Sequence, residues 1–317
     1  MYKAGVEIMG RKVIQIADST QLISLPRKWA LQHGIKKGDE LEVEEQGSKL
    51  VIFTEKGYDI KKIEINTEGL GIMIPRFIHA LYKKGADEIK LTFNSNEDMQ
   101  AIQKALGKEA VGFEITSQGS NFCEIKHVSG ELEDFEPILK RTFLLLLSMS
   151  EQTLDALKKG DFNILPNIAF LEEANNRFTT TCRRLLNKKG SKKYSPVGPI
   201  YYIIEDIENL ADQYKYLCNH LYELNQKNKV GKKAISKEAI NAFENVDKML
   251  REFYDLFYKF DRGKLVDISK KRKELVAELY GLLENSNKVS DRVIAHYLIV
   301  IFQKIFCLVG PYLVLNM

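Results

Sequence analysis

The stretch RKVIQIADSTQLISLPRKWALQHGIKKGDELEVEE, residues 11–45, decides how the chain begins to fold. This stretch and the residues just after it contain four segments in which apolar and polar residues alternate: KVIQIA, QLISL, DELEVEE and KLVIFT. Such alternation is typical of short, half-buried β-strands. Pro26 and Gly34 bound a short helical segment between the second and third strands, since proline favours the first helical turn and glycine the helix end. The pattern predicts two β-hairpins that flank one short helix.

A segment of this length is too small to be stable alone. It buries too small a share of its surface, and its four short strands leave edges that can pair with another chain. Two copies that interleave their hairpins would pair these edges and share one core. The sequence therefore predicts a homodimer before it predicts any ligand.

The same segment resembles the AbrB/MazE/SpoVT family of swapped-hairpin DNA-binding domains. The resemblance rests on Ser24-Leu25-Pro26, Trp29, Gly34 and Lys37-Gly38-Asp39, which fall at the family's offsets. It implies that residues 1–55 form a DNA-binding dimerisation module, a swapped-hairpin β-barrel built from two chains.

The resemblance also implies DNA contact through basic residues at the hairpin ends and at the start of the short helix. At the matching positions this sequence has Arg11, Lys12, Arg27 and Lys28. Residues 1–55 contain eight Lys or Arg and eight Asp or Glu, so DNA affinity is expected to be modest and steeply salt-dependent. The alternative is that these bases are solvated and that the module only dimerises the chain.

Residues 57–130 are predicted to form a small α/β middle domain. Strands and helices alternate in KKIEIN, MIPRFIHALYKKG, EIKLTF and NEDMQAIQKALG, and GFEITSQ and NFCEIKHV form a hairpin. This order predicts a sheet covered by one layer of helices. No glycine-rich phosphate loop or metal-ligand cluster occurs in this segment, which favours a scaffold or coupling role over catalysis.

Residues 133–317 are predicted to be helical almost throughout. Six amphipathic segments in two sets of three suggest an internal duplication. The lysine-rich segments 187–193 and 226–233 are predicted to be solvated connectors, with an acidic protein surface, a membrane-proximal transporter or a DNA backbone as open alternatives. The last segment ends in VIAHYLIVIFQKIFCLVGPYLVLNM. Its polar residues and Gly-Pro pair favour a buried helix over a membrane-associated tail.

The segment YYIIEDIENLAD carries acids at metal-ligand spacing. Glu208 and Asp212 are four residues apart and share one helical face, with Glu205 a turn earlier. Carboxylates at this spacing offer oxygen ligands to a hard divalent cation or to iron. The simpler alternative is a solvated acidic face. His220, eight residues after Asp212, is the one histidine that returns toward the same face.

YYIIEDIENLAD also resembles the RYLERIGD signature of the PhoU phosphate-uptake regulators. The resemblance covers residues 133–317 and implies an all-α PhoU-like domain of two three-helix bundles, in which an acid-x-x-x-acid motif of each repeat binds metal. Glu208 and Asp212 match the ligands of the first repeat. Ile299 and Gln303 stand at the corresponding positions of the second repeat, so the resemblance implies at most one metal site.

The composition of the whole chain limits its class. A net charge of +4 over 317 residues is too small to create a strong positive electrostatic field, so it does not by itself indicate a nucleic-acid or membrane partner. The four cysteines have no CxxC spacing and the N-terminus has no signal-peptide core, which predicts a cytoplasmic protein with reduced thiols. The sequence has no nucleophile elbow, phosphate loop or dinucleotide fingerprint, and we therefore expect a protein that is not an enzyme.

The two resemblances together imply a multidomain α+β protein that regulates phosphate uptake. It would be a homodimeric transcriptional regulator that couples a phosphate-status signal at the helices to promoter binding, and its source would be archaeal, since archaeal PhoU-like proteins carry this fusion. The alternative is a dimeric PhoU-type adaptor that does not bind DNA and docks on a phosphate ABC transporter or a sensor kinase. A metal-dependent enzyme would instead have to retain its metal through Glu208 and Asp212.

Overall fold

A computed structural model describes residues 10–16, 19–46, 48–53, 61–129, 134–191, 193–194, 196–227 and 235–317. The chain divides into two compact units, Met1–Asp59 and Ile60–Met317. The predicted domain limits at residues 55, 57, 130 and 133 lie outside the described residues.

The described residues of the N-terminal unit form two separate hairpins and one short helix. Strands β1 (Val13–Ile16) and β2 (Thr20–Ile23) pair antiparallel, as do β3 (Glu42–Gln46) and β4 (Lys49–Phe53). Helix α1 (Arg27–Gln32) connects the hairpins. The predicted strands and helix are confirmed. Within one chain the hairpins remain two separate two-stranded sheets, so the barrel stays a prediction that requires a second chain.

A single copy of the N-terminal unit has no hydrophobic core among its described residues. None of the described side chains between Gly10 and Phe53 is buried. Val13, Ile14 and Leu50 are 62%, 55% and 65% exposed. Because apolar burial is the main favourable contribution to folding, these hairpins alone gain little stability.

The second unit begins with a four-stranded sheet covered on one face by two helices. Its elements are, in chain order, β5 (Lys62–Asn66), α2 (Ile74–Lys83), β6 (Glu88–Thr92), α3 (Asn96–Leu106), β7 (Phe113–Gln118) and β8 (Phe122–His127). The strand order is β5-β6-β8-β7, with β5 and β6 parallel and the other pairs antiparallel. Alternate residues of β6 and β8, such as Ile89 and Ile125, belong to one buried cluster with Ile78 of α2 and Ile102 of α3. The predicted strands and the single helical layer are confirmed; we call this part the α/β layer.

The rest of the second unit is helical. Its helices are α4 (Phe135–Lys159), α5 (Leu165–Lys189), α6 (Val197–Gln226), α7 (Lys237–Tyr258), α8 (Arg262–Asn285), α9 (Val289–Cys307) and α10 (Val309–Asn316). Helices α4, α5 and α6 pack against one another, as do α7, α8 and α9, and the pairs α4–α7 and α6–α9 join the two sets. One buried apolar cluster extends through both sets.

The C-terminal run differs from its prediction, because the single helix expected there is two. Pro311 cannot donate a backbone hydrogen bond and its ring clashes with the carbonyl of the residue four positions earlier, which is Cys307, the last residue of α9. Within the described ranges, Val289–Asn316 is long and apolar enough to cross a membrane by length and composition. In α9, however, Leu298, Phe302 and Ile305 are fully buried in the helical core.

Candidate functional site

The four basic residues predicted to contact DNA lie at the ends of the expected elements. Arg11 and Lys12 directly precede β1, and Arg27 and Lys28 are the first two residues of α1. All four are exposed, and the first turn of α1 contains no acidic residue. Their cationic groups are therefore accessible to an anionic partner such as a phosphate backbone.

Most acids of the N-terminal unit lie in a different part of the sequence. Five of them, Asp39, Glu40, Glu42, Glu44 and Glu45, follow α1, in the turn before β3 and in β3 itself. In that turn Asp39 is used locally, since its Oδ2 accepts a hydrogen bond from the backbone N–H of Lys36 at 2.8 Å. The four predicted DNA-contacting bases thus precede this acid-rich segment in the chain, whereas Lys36, Lys37 and Lys49 lie next to it.

Glu208, one of the two predicted metal ligands, is held by a buried arginine. Arg183 of α5 donates hydrogen bonds to Oε2 of Glu208 and to Oε2 of Glu205. Thr179 Oγ1 also donates to Oε2 of Glu208, at 2.7 Å. The guanidinium is fully buried, and a buried charge is stable only when it is paired and hydrogen-bonded. These contacts therefore supply the cation that this carboxylate needs.

Asp212, the second predicted ligand, is paired with a lysine. Lys215 Nζ donates to Asp212 Oδ1 at 2.5 Å and to Glu172 Oε1 of α5 at 2.8 Å. Burial raises the pKa of the Glu172 carboxyl, and the charge and hydrogen bond of Lys215 offset part of this rise. One ammonium group thus lies between two carboxylates on adjacent helices.

A metal does not fit this face of α6 while the two cations are in place. No group of three or more His, Cys, Asp or Glu side chains is arranged to hold a metal ion in the part of the chain that the structure describes. His220 is exposed, and its ring lies edge-on to that of Tyr297, with 6.1 Å between centroids. A metal at Glu208 and Asp212 would have to displace Arg183 or Lys215.

Arg184, the residue after Arg183, points to the α/β layer. It is also fully buried. Its Nη1 donates to the carbonyl oxygens of Tyr82 at 3.0 Å and Ala86 at 2.5 Å, and its Nη2 donates to Asp87 Oδ1 at 2.8 Å. The guanidinium carbon lies 4.7 Å from the centroid of the Tyr82 ring and 5.4 Å from that of Phe113, within the range of cation–π attraction. Arg184 joins the helices to the α/β layer.

The end of α5 adds further contacts to this junction. The prediction that residues 187–193 form a solvated connector is therefore wrong for the first part of that segment. Helix α5 continues through Lys189. Lys188 pairs with Asp87, and Asn187 Nδ2 donates to the carbonyl oxygen of Lys83 at 2.7 Å. Burial alone would raise the pKa of the Asp87 carboxyl. Hydrogen bonds from Lys188 and from the Lys61 backbone, together with the charge of Arg184, outweigh burial, so that the net shift lowers this pKa. Most of the other predicted connector, residues 228–233, lies outside the described residues.

Thr180 links the site of Arg183 to the α/β layer. Its hydroxyl accepts from Arg183 Nη2 and donates to Glu109 Oε2, both at 3.3 Å. The same carboxylate oxygen lies 3.3 Å from His79 Nδ1, while His79 Nε2 donates to the Ala105 carbonyl at 3.0 Å. Continuous polar contacts therefore extend from the acids of α6 to α2 and α3, so that a change at α6 can alter the α/β layer.

The sequence pattern does not single out Arg183 or Arg184, yet it contains a signal for both. They occur in TTTCRRLL, an otherwise uncharged part of α5, and neither has an acid four residues before or after it. Pairs at that spacing are the ones a helix can make with itself. Their partners therefore had to lie on other elements.

A comparison with known protein families finds a similarity for the N-terminal segment. Residues 14–61 match the model of the family described as antidote-toxin recognition MazE, bacterial antitoxin. The matched range contains Arg27 and Lys28 and begins after Arg11 and Lys12. No curated protein and no solved structure gives a significant match. The AbrB/MazE-like prediction is therefore confirmed for this segment of the chain.

Proposed function

We propose that this protein is a homodimeric, DNA-binding transcriptional regulator. The observation that carries the proposal is an N-terminal unit in which no described apolar side chain is buried and in which four bases, Arg11, Lys12, Arg27 and Lys28, are exposed. The similarity of residues 14–61 to the MazE family supports it, because domains of this type bind DNA as dimers.

Pairing with a second copy explains the exposed hairpins. Apolar residues stand opposite each other in the β1–β2 hairpin, where Val13 pairs with Ile23 and Ile14 with Leu22. An isolated two-stranded hairpin is marginally stable in water. A second chain would bring two more hairpins, pair the free edges and bury these side chains between copies.

Pairing also assembles a basic surface suited to DNA. Each chain contributes the same four bases, so a two-fold dimer presents two equal clusters, which matches the two half-sites of a palindromic operator. Contacts to phosphate provide affinity that falls steeply with salt. Selectivity then depends on which of the bases reach base edges.

We further propose that the helices receive a phosphate-status signal and that the protein acts in the cytoplasm of an archaeal cell. The resemblance of YYIIEDIENLAD to the PhoU signature supports this role. A route for coupling is the polar junction in which Arg184 and Lys188 of α5 bind Asp87 of the α/β layer. In this proposal a rearrangement of α5 and α6 changes promoter occupancy.

The second candidate is a dimeric adaptor that does not bind DNA. The charge balance of residues 1–55, with eight bases and eight acids, favours it, because a neutral module attracts DNA weakly. In this case the N-terminal unit only dimerises the chain, and the helices dock on a phosphate transporter or a sensor kinase.

Fluorescence anisotropy on duplex DNA separates the two candidates. The DNA would come from upstream of the organism's phosphate-transport genes, with random DNA of equal length as the control, across a salt series. The regulator predicts selective binding by the full-length chain. It also predicts a smaller salt slope, the dependence of log affinity on log salt concentration, for the double variant Arg11→Ala with Arg27→Ala. The slope should fall by about one for each lost phosphate contact, and two residues in each of two chains give a fall of about four per dimer.

The matched control is Lys36→Ala with Lys37→Ala. This variant removes the same charge from exposed positions of the same unit. The regulator predicts a smaller change of the salt slope for the control. Equal weak binding to both DNAs, or equal slopes for the two double variants, would favour the adaptor.

A further inference from the structure

Four carboxylates line the contact between α5 and α6, and we call them the carboxylate seam. They are Glu172 of α5 and Glu205, Glu208 and Asp212 of α6. Like charges so close together repel, and partial burial strengthens the repulsion. A seam of this kind needs cations to hold it together.

The chain supplies two cations, and each of them bridges two carboxylates. Arg183 contacts Glu205 and Glu208, and Lys215 contacts Glu172 and Asp212. A position between two carboxylate oxygens is also where a hard divalent metal ion binds. The two side chains therefore occupy the places at which a metal would act as the bridge.

We propose that Arg183 and Lys215 are the counter-cations that the chain itself supplies to the carboxylate seam, so that the helices fold and function without a metal. We also propose that Lys215 covers a latent site for a divalent cation that binds oxygen ligands. The two side chains differ in how easily they could be replaced. Arg183 is fully buried, and its Nε donates to the Thr179 carbonyl oxygen at 3.2 Å in addition to its carboxylate contacts.

Lys215 is the replaceable cation of the pair. Its side chain is 23% exposed and that of Asp212 is 29% exposed, so water and a hydrated ion can reach them. The amide of Asn176 lies against Glu172: its Nδ2 donates to Glu172 Oε1 at 2.6 Å, while its buried Oδ1 has no hydrogen-bond partner among the residues that the structure describes. Glu172, Asp212 and Asn176 thus offer the carboxylate and amide oxygens that Mg²⁺, Mn²⁺ and Ca²⁺ prefer.

The first test uses the unaltered full-length chain. After treatment with a chelator and dialysis, Mn²⁺ would be titrated in, with bound metal measured by mass spectrometry and thermal unfolding followed by circular dichroism. The proposal predicts no Mn²⁺ retained above the buffer level and no change of Tm. Stoichiometric retention, or a Tm that rises with Mn²⁺, would overturn it.

The second test removes the ammonium group with Lys215→Met, which keeps the length of the side chain. In chelator this variant is predicted to lose about 5 °C in Tm, because two carboxylates lose their shared cation. Mn²⁺ is predicted to bind at one ion per chain and to restore the loss, and Asp212→Asn in the same background is predicted to abolish this binding.

The matched control is Lys227→Met at the end of the same helix. Lys227 faces the single carboxylate of Glu223 at 3.8 Å, and both side chains are mostly exposed. This variant is predicted to keep its Tm and to bind no Mn²⁺. If Lys215→Met folds only when Mn²⁺ is present, the latent site is supported. The proposal is wrong if Lys215→Met has the Tm and the Mn²⁺ binding of the parent chain. It is also wrong if Lys215→Met is destabilised and Mn²⁺ does not restore its folding.

Discussion

The two compact units of this chain differ in where their stability comes from. Within the described part of the N-terminal unit no side chain is buried, and strand residues such as Ile14 and Val43 are more than half exposed. The unit from Ile60 to Met317 has two apolar clusters of its own and buries two complete arginine side chains, Arg183 and Arg184. In the proposed dimer a second chain completes the core of the first unit, whereas the second unit has its core within one chain.

The buried arginines show what a complete core permits. Burying a charge is costly unless several groups pair with it, and only a packed unit can hold those groups in place. Arg184 donates hydrogen bonds to an aspartate and to two carbonyl oxygens, and its guanidinium lies against two aromatic rings. Wherever the structure describes their burial, the charged side chains of the N-terminal unit are exposed and available to a ligand.

The largest effect is expected from Arg184→Met. The change leaves two carbonyl oxygens without their buried donor and removes one of the two cations that pair with Asp87. Loss of one partner of a buried pair costs about 3–5 kcal/mol. Far-UV circular dichroism in a denaturant series would measure the loss. The transition of Trp29, the only tryptophan and a residue of the other unit, is predicted not to move.

Arg272→Met is the control for this prediction. Arg272 is exposed and lies 4.5 Å from the centroid of the Phe306 ring. A cation–π contact at an exposed site contributes about 0.5–1 kcal/mol, so the control is expected to lose far less stability. Equal losses for the two variants would show that the junction at Arg184 does not hold the layers together.

The next effect is that the stability of the N-terminal unit, but not that of the helical unit, should depend on protein concentration. If the core of the N-terminal unit forms only between two copies, hundredfold dilution lowers its stability by about 2.7 kcal/mol. Trp29 fluorescence would report this shift in a denaturant series, because the residue lies in α1. The transition of the helices, followed by circular dichroism, is expected to stay in place. A Trp29 transition at the same denaturant concentration before and after dilution would contradict the proposal that the core of the N-terminal unit forms between two chains.

A smaller effect concerns Asp87 and pH. The pKa of this carboxyl is lowered in the folded chain, so its contribution is present above its unfolded pKa and is lost as the pH falls through the folded value. Near neutral pH, Asp87→Asn is expected to cost about 1.5–3 kcal/mol, the range for hydrogen bonds to a charged group. The difference from the parent chain should vanish in acid, when Asp87 is protonated. A difference that is constant with pH would show that the charge contributes nothing.

The smallest change in stability is expected for the exposed bases. Arg27→Ala removes no buried contact, and surface substitutions of this kind usually shift the free energy of unfolding by less than about 0.5 kcal/mol. A loss beyond this range in denaturant unfolding would mean that Arg27 supports the fold and would weaken its assignment to DNA.

Local sequence patterns predicted most of the elements, because strands and helices leave a periodicity in the sequence. Alternation located both N-terminal hairpins, and the helix predicted for NEDMQAIQKALG is confirmed. The structure adds its cap at Ser95, whose side chain accepts a hydrogen bond from the backbone N–H of Asp98. The break at Leu308 was missed as a helix boundary, although Gly310 and Pro311 signal it.

The contacts of the site were harder to predict, because they join residues far apart in the chain. The shared face of Glu208 and Asp212 follows from helical spacing. The pair of Asp212 with Lys215, three residues later on the same helix, follows from this spacing as well. The contacts of Arg183 with Glu208 and of Lys215 with Glu172 do not, since only the packing of α5 against α6 brings them together. The junction between Arg184 and Asp87 spans 97 positions, and no local pattern encodes it.

Sedimentation equilibrium of the full-length chain tests the central claim most directly. The account predicts a species of twice the 36.4 kDa chain mass. It also predicts that Ile14→Lys, which places a charge on an exposed strand residue, yields a monomer with an unchanged helical circular dichroism spectrum. A monomeric parent chain, or a variant that remains dimeric, would contradict the account, because the N-terminal unit would then not be completed by a second copy.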